Sequence, residues 1–204
     1  MTTPADALLA RIRGLELELE AEFAKQRAGL RHGLEHGVAA FEAEVIRRHR
    51  ELRKSTASYL LTAPLLFIVT APVIYSLLLP FAVADLWVSI YQAICFRVYG
   101  IPQVRRRDYM VFDRAGLAYL NLIEKVNCAY CSYVNGVIAY VREVGSRTEQ
   151  YWCPIKHARR VIGQHARQAA FEEFGDAERY RSGVDALRAA LRAEAVTPAD
   201  PLKP

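Results

Sequence analysis

Polar and apolar residues are sharply segregated along this chain. Charged residues crowd the stretch up to Lys54 and the stretch from Arg97 onward, whereas the 42 residues between them carry a single charge, Asp85. Before the apolar block, Leu8, Ile12, Leu15, Leu19, Phe23, Leu30, Leu34, Val38, Phe41, Val45 and Leu52 recur at steps of three, four or seven. That spacing puts them on one stripe and predicts a long amphipathic helix over residues 5–54. A stripe of this length has to be covered, either in a coiled coil or by the rest of the chain. Gly29, Gly33 and Gly37 interrupt it at steps of four. They mark a kink or break, each glycine costing about 1 kcal/mol against alanine inside a helix. His32 and His36 share a face there and read as solvated.

The apolar block divides at Pro80. Residues 59–79 carry no charge, and residues 81–98 carry only Asp85 and Arg97. At about 1.5 Å per residue, each half is long enough for a ~30 Å hydrocarbon core, the second only just. The pattern predicts a two-helix transmembrane hairpin turning at Pro80, with Pro64 and Pro72 kinking its first helix. Asp85 falls one turn past Pro80, which suits an interfacial acid capping the second helix; the alternative is an ion pathway through an oligomer. Arg47, Arg48, Arg50, Arg53 and Lys54 precede the block, and Arg97, Arg105, Arg106 and Arg107 follow it. Positive residues favour the cytoplasmic side, so both termini are expected in the cytoplasm, at the cell (inner) membrane.

Past Gly100-Ile101-Pro102 the chain becomes polar again. Asp113 reads as the cap of a helix running to about Glu143, which Gly145-Ser146 then breaks. A second helix is expected from Pro154 to about Gly175, and a third from about Asp176 to Glu194. Residues 197–204, with three prolines, read as a disordered tail.

The chemistry that stands out is a set of thiols and one imidazole. Cys128 and Cys131 are one helical turn apart, and Cys153 precedes His157 by four residues. Paired on neighbouring helices, the four would make a Cys₃His site, a tetrahedral set suited to zinc, with iron as the alternative. A Cys153 at a helix N-cap would be favoured as thiolate. The competing readings are a Cys128/Cys131 redox dithiol, or buried thiols with an unrelated histidine. Cys95 reads as an apolar filler of the second membrane segment. The net charge of +5 fits anionic headgroups beside the apolar block better than nucleic acid, since no recognition-helix pattern is present. No phosphate loop, nucleophile elbow or zincin motif occurs.

The sequence therefore predicts an all-α integral membrane protein with four parts: a helix over 1–54, a hairpin over 55–100, a cytoplasmic helical region with the metal site over 101–196, and the tail. The expected partners are the lipid bilayer and either further copies of the chain or another membrane protein. The expected role is a metal-stabilised interaction or assembly protein. The alternatives are a membrane-bound redox protein and an oligomeric ion pathway through Asp85.

Overall fold

The computed structural model describes residues 4–28, 32–35, 38–41, 43–159 and 161–194. The expected disordered tail lies outside them. The chain forms two compact units, Met1–Thr62 with Asp113–Asn127, and Ala63–Phe112 with Cys128–Pro204.

In the first unit, α1 (Pro4–Ala28) carries the predicted stripe, and Leu8, Ile12, Leu15, Leu19 and Phe23 are all exposed. The expected single helix over 5–54 does not form. The helix stops at Ala28, and an antiparallel ribbon follows, β1 (His32–Glu35) with β2 (Val38–Phe41), pairing His32 with Phe41 and Glu35 with Val38. The break falls where the glycine triplet begins, as the cost of glycine in a helix leads one to expect. Helix α2 (Ala43–Glu51) and α3 (Thr56–Thr62) complete the run. Ser55 starts α3 by accepting a hydrogen bond from the Ser58 amide at 3.1 Å.

The second unit is built on one long helix, α4 (Leu65–Tyr99), which replaces the expected hairpin. Pro80 does not turn the chain. Leu77, the residue joining the two α-helical stretches, keeps right-handed helical angles. The Leu77 amide donates to Ile74 O, and the Phe81 amide to Leu77 O. Pro80 thus sits in the opening turn of a renewed ladder, where a missing N–H costs little. Near its end α4 widens into a π turn at Gln92–Phe96.

Helix α5 (Leu122–Trp152) starts later and runs further than expected. Asp113 begins only a short 3-10 turn. The true cap is Asn121: its Oδ1 accepts from the Glu124 amide at 3.0 Å, and Glu124 Oε2 accepts from the Asn121 amide at 2.9 Å, a reciprocal capping box. Gly145-Ser146 does not break the helix, because Val137, Tyr140, Val144 and Arg147 keep one buried stripe in register across it. The expected helix over residues 154–175 is mostly irregular, with a single 3-10 turn at Ala166–Ala170. That segment is tied down instead by strand-like bonds from Glu172 N to Pro154 O and from Lys156 N to Glu172 O. Helix α6 (Ala177–Ala193) matches expectation, capped by Asp176 Oδ1 accepting from the Arg179 amide.

The core of the second unit is small: Phe96, Ile101, Val104, Tyr140, Val144 and Leu191. Gln92 threads it. Its amide accepts from Val104 N at 2.9 Å, donates to Val104 O at 3.1 Å, and donates to the Tyr140 hydroxyl at 2.6 Å. A buried glutamine thereby gives an irregular segment the pairing that a strand neighbour would supply. Close approach is needed at Gly136, where an added Cβ would meet Tyr109 O at 2.5 Å and Met110 Sδ at 2.7 Å.

Candidate functional site

The four expected metal ligands are not brought together. Cys128 and Cys131 lie one turn apart on α5, the first half-buried and the second exposed. Cys153 follows the last residue of the same helix, its amide still donating to Glu149 O. It lies some 22 residues beyond Cys131, which is about 33 Å of helix. His157 is exposed in the irregular segment after it. The two pairs were expected on neighbouring helices, and one continuous helix holds them apart. The N-cap position imagined for Cys153 is a helix C-terminus instead. Among the described residues, no group of three or more His, Cys, Asp or Glu side chains is placed to hold a metal ion.

The polar chemistry that the fold does assemble lies elsewhere, in two clusters. The first surrounds Asp85, which is 7% exposed. Its carboxylate accepts from Arg106 Nε at 2.8 and 3.1 Å, from Arg106 Nη2 at 2.6 Å, and from the Tyr133 hydroxyl at 3.1 Å. This is a forked guanidinium–carboxylate pair with one further donor, the strongest class of charge-assisted contact. Asp85 sits well inside α4 and caps nothing. Both oxygens are engaged, so the group is built as a fixed counter-charge.

The cluster also divides α4. On the N-terminal side, Leu65, Leu66, Phe67, Val69, Val73, Leu79 and Val83 are exposed, and Asp85 is the first buried residue of the helix. On the C-terminal side, Gln92 and Phe96 are buried in the core. The first half is apolar around its whole circumference; Thr70 and Ser76 turn their hydroxyls inward to Leu66 O at 2.9 Å and Val73 O at 2.7 Å. Helix α5 touches it through the Tyr130 hydroxyl, which donates to Ile74 O at 2.9 Å.

The second cluster crosses the helical unit. Arg167 donates to Glu143 and to Gln150, and pairs with Glu194; Arg147 pairs with Glu143 and donates to Pro102 O. Burial pushes the Glu143 carboxyl up, yet the two guanidiniums together hold it below its ordinary range. Arg167 moves the opposite way, its charge disfavoured by burial but held by Glu194 and Glu143. Nearby, His165 Nε2 lies 2.7 Å from Glu149 Oε2. These bonds tie α5, α6 and the segment between them, and every member has a structural task.

The sequence offered a clue to the first cluster, since a lone acid in an apolar run needs a partner. Arg106 supplies it, from the run Arg105-Arg106-Arg107 that follows the apolar block. Nothing in the sequence pairs Tyr133 with Asp85. No protein-family model, curated protein or solved structure matches the chain.

Proposed function

We propose that this chain is a membrane-anchored helical assembly protein in which the first half of α4, residues 65–84, enters the bilayer and the second half is the spine of the attached domain. The observation that carries this is the character of that half-helix. Its apolar window has a mean hydropathy of 2.2 and none of it is buried. A helix apolar on every side has no polar face to leave in water, so it suits neither a soluble surface nor a helix lying in the membrane plane. Twenty residues span about 30 Å, the thickness of the hydrocarbon core. Asp85 and Arg106 then fall at the headgroup level, where a charged pair is least costly.

One continuous helix supplies one crossing, whereas two cytoplasmic termini required an even number. The flanking bases number five before the block and four after it, so they set the orientation only weakly. The domain following α4 is assigned to the cytoplasm, because Cys128, Cys131 and Cys153 are all free thiols, which suits a reducing compartment. The exposed stripe of α1 supports assembly, since five large apolar residues at helical spacing call for a helical partner. The Cys₃His site, and with it zinc or iron, gains no support from the placement of its residues. A redox role has only the Cys128/Cys131 pair to stand on. The ion-pathway alternative is disfavoured by the saturated pairing of Asp85.

Two measurements test this. The full chain should remain in the membrane pellet after an alkaline carbonate wash, and Val73→Arg with Leu77→Arg should release it. Recovery of the wild-type chain in the wash supernatant refutes the anchor. An impermeant maleimide should miss Cys131 and Cys153 in intact cells and label them after lysis; labelling in intact cells reverses the orientation.

A further inference from the structure

The chain after α4 is held at three points. Gln92 pairs with both backbone groups of Val104, Arg147 Nη1 donates to Pro102 O at 2.8 Å, and Arg106 forks onto Asp85. Arg106 opens a short 3-10 turn, Arg106–Asp108. The Asp108 amide donates to Arg105 O at 3.0 Å, and the Tyr109 amide to Arg106 O at 3.1 Å. Asp85 thus engages and neutralises one arginine of the run. Arg105 and Arg107 stand on either side of it, with side chains 62% and 79% exposed. Both approach the same carboxylate, Asp108, each at 3.8 Å, which is wider than a hydrogen bond. Two guanidiniums against one carboxylate leave one unit of positive charge, presented by a fixed turn beside Asp85.

We propose that Arg105 and Arg107 form a headgroup site for an anionic phospholipid, a proposal that rests on the entry of residues 65–84 into the bilayer. Charge complementarity argues for this occupant. Asp85 is the first buried residue after the exposed apolar half of α4, so the turn pinned to it lies at the depth of the lipid phosphates. Each guanidinium offers a planar fork of donors that matches two phosphate oxygens. Its apolar stem can lie along the acyl boundary while the charge stays in water. A zwitterionic lipid brings its own ammonium to balance the phosphate, whereas an anionic lipid brings an uncompensated charge. One basic side chain near an anionic surface strengthens association by about fivefold. Nucleic acid is the poorer fit, because proteins that bind it neutralise about 6–10 phosphates and this turn offers a single surplus charge. Asp108 then acts as a competitor, since it draws on the same two guanidiniums that the phosphate would take.

Trp87 supplies a local reporter. It lies two residues past Asp85, is 70% exposed, and shares the chain with one other tryptophan, Trp152. The full chain carrying Trp152→Phe is placed in phosphatidylcholine nanodiscs. A fraction of the lipid, either phosphatidylglycerol or phosphatidylcholine, carries bromine high on its acyl chains, and quenching of Trp87 is read. Phosphatidylglycerol should be favoured about fivefold over phosphatidylcholine beside Trp87. Arg105→Gln with Arg107→Gln should bring that ratio to one, and Arg105→Lys with Arg107→Lys should keep most of it. Asp108→Asn should raise it, because the competing carboxylate is gone. High salt, which cuts the screening length to about 3 Å, should erase it. A ratio of one in the unsubstituted turn, or a ratio that survives the double glutamine change, overturns the proposal. A ratio lost on adding millimolar inorganic phosphate at constant ionic strength assigns the arginines to a free phosphate and overturns the lipid reading. Quenching by neither brominated lipid overturns the anchoring itself, so the two failures are distinguishable.

Discussion

Asp85 and Arg106 share one ion pair, yet breaking it from either end should have unequal costs. Asp85 is 7% exposed and has three donor contacts from one guanidinium plus a phenol, whereas the Arg106 side chain is 46% exposed. Arg106→Ala strands a carboxylate in the fold with only Tyr133 to bond it. Breaking a fully buried pair in this way costs about 3–5 kcal/mol. Because half of the guanidinium already faces water, about 2–3 kcal/mol is the better expectation. Asp85→Ala frees an arginine that can swing into solvent, and loses mainly the hydrogen bonds, about 1 kcal/mol. Adding Asp85→Asn to Arg106→Ala removes the stranded charge while keeping an acceptor for Tyr133, and should recover most of the loss. The assay is thermal unfolding of the purified chain in one detergent, where each kcal/mol moves the midpoint by about 2–4 °C for a domain of this size. Equal costs for the two single variants, or a double variant no better than Arg106→Ala, would refute this account of the cluster.

Two glycines on α5 should respond with opposite signs. Gly136→Ala drives a methyl against the Tyr109 carbonyl and should lower stability by about 1–2 kcal/mol, whereas Gly145→Ala meets open space and should raise it by up to about 1 kcal/mol; paired melting curves decide. Glu143, held below its ordinary value near 4.5, contributes stability that is complete above that value and is lost as pH falls through its lower folded value. Acid destabilisation should therefore steepen below about pH 4.5, and Glu143→Gln should flatten it; an unchanged acid limb counts against the cluster. Elemental analysis should find no zinc or iron that is lost jointly on Cys131→Ser and Cys153→Ser, since about 33 Å separates the two thiols; joint loss would require coordination between chains.

Much of the helix content was legible, and the errors share a physical origin. Charge segregation located the apolar block, and the helix expected from about Asp176 to Glu194 formed as α6, Ala177–Ala193. Local breakers misled. Pro80 and Gly145-Ser146 read as ends because each disfavours a helix by itself, but neighbouring residues on both sides of each keep their register and outweigh the local cost. Asp113 and Asn121 are both competent caps; the reciprocal bond with Glu124 selected Asn121, a choice visible in the Asn121-x-x-Glu124 spacing. The Cys₃His expectation depended on the supposed break at Gly145, so it fell with that break. The partnership of Asp85 with Arg106 and Tyr133 spans 21 and 48 residues, and no local pattern encodes it.

The absence of any break between the two halves of α4 has a mechanical consequence. From Asp85 to Tyr99 the helix extends about 21 Å beyond the proposed membrane surface. Phe96 and Gln92 are embedded in the domain, so the domain cannot swivel independently of the segment proposed to enter lipid. Helices meet a thinner or thicker bilayer by changing tilt. A tilt of about 10° at the membrane would sweep the Tyr99 end sideways by roughly 4 Å. The helix then behaves as a lever arm, converting the thickness of the surrounding lipid into the direction in which the domain faces.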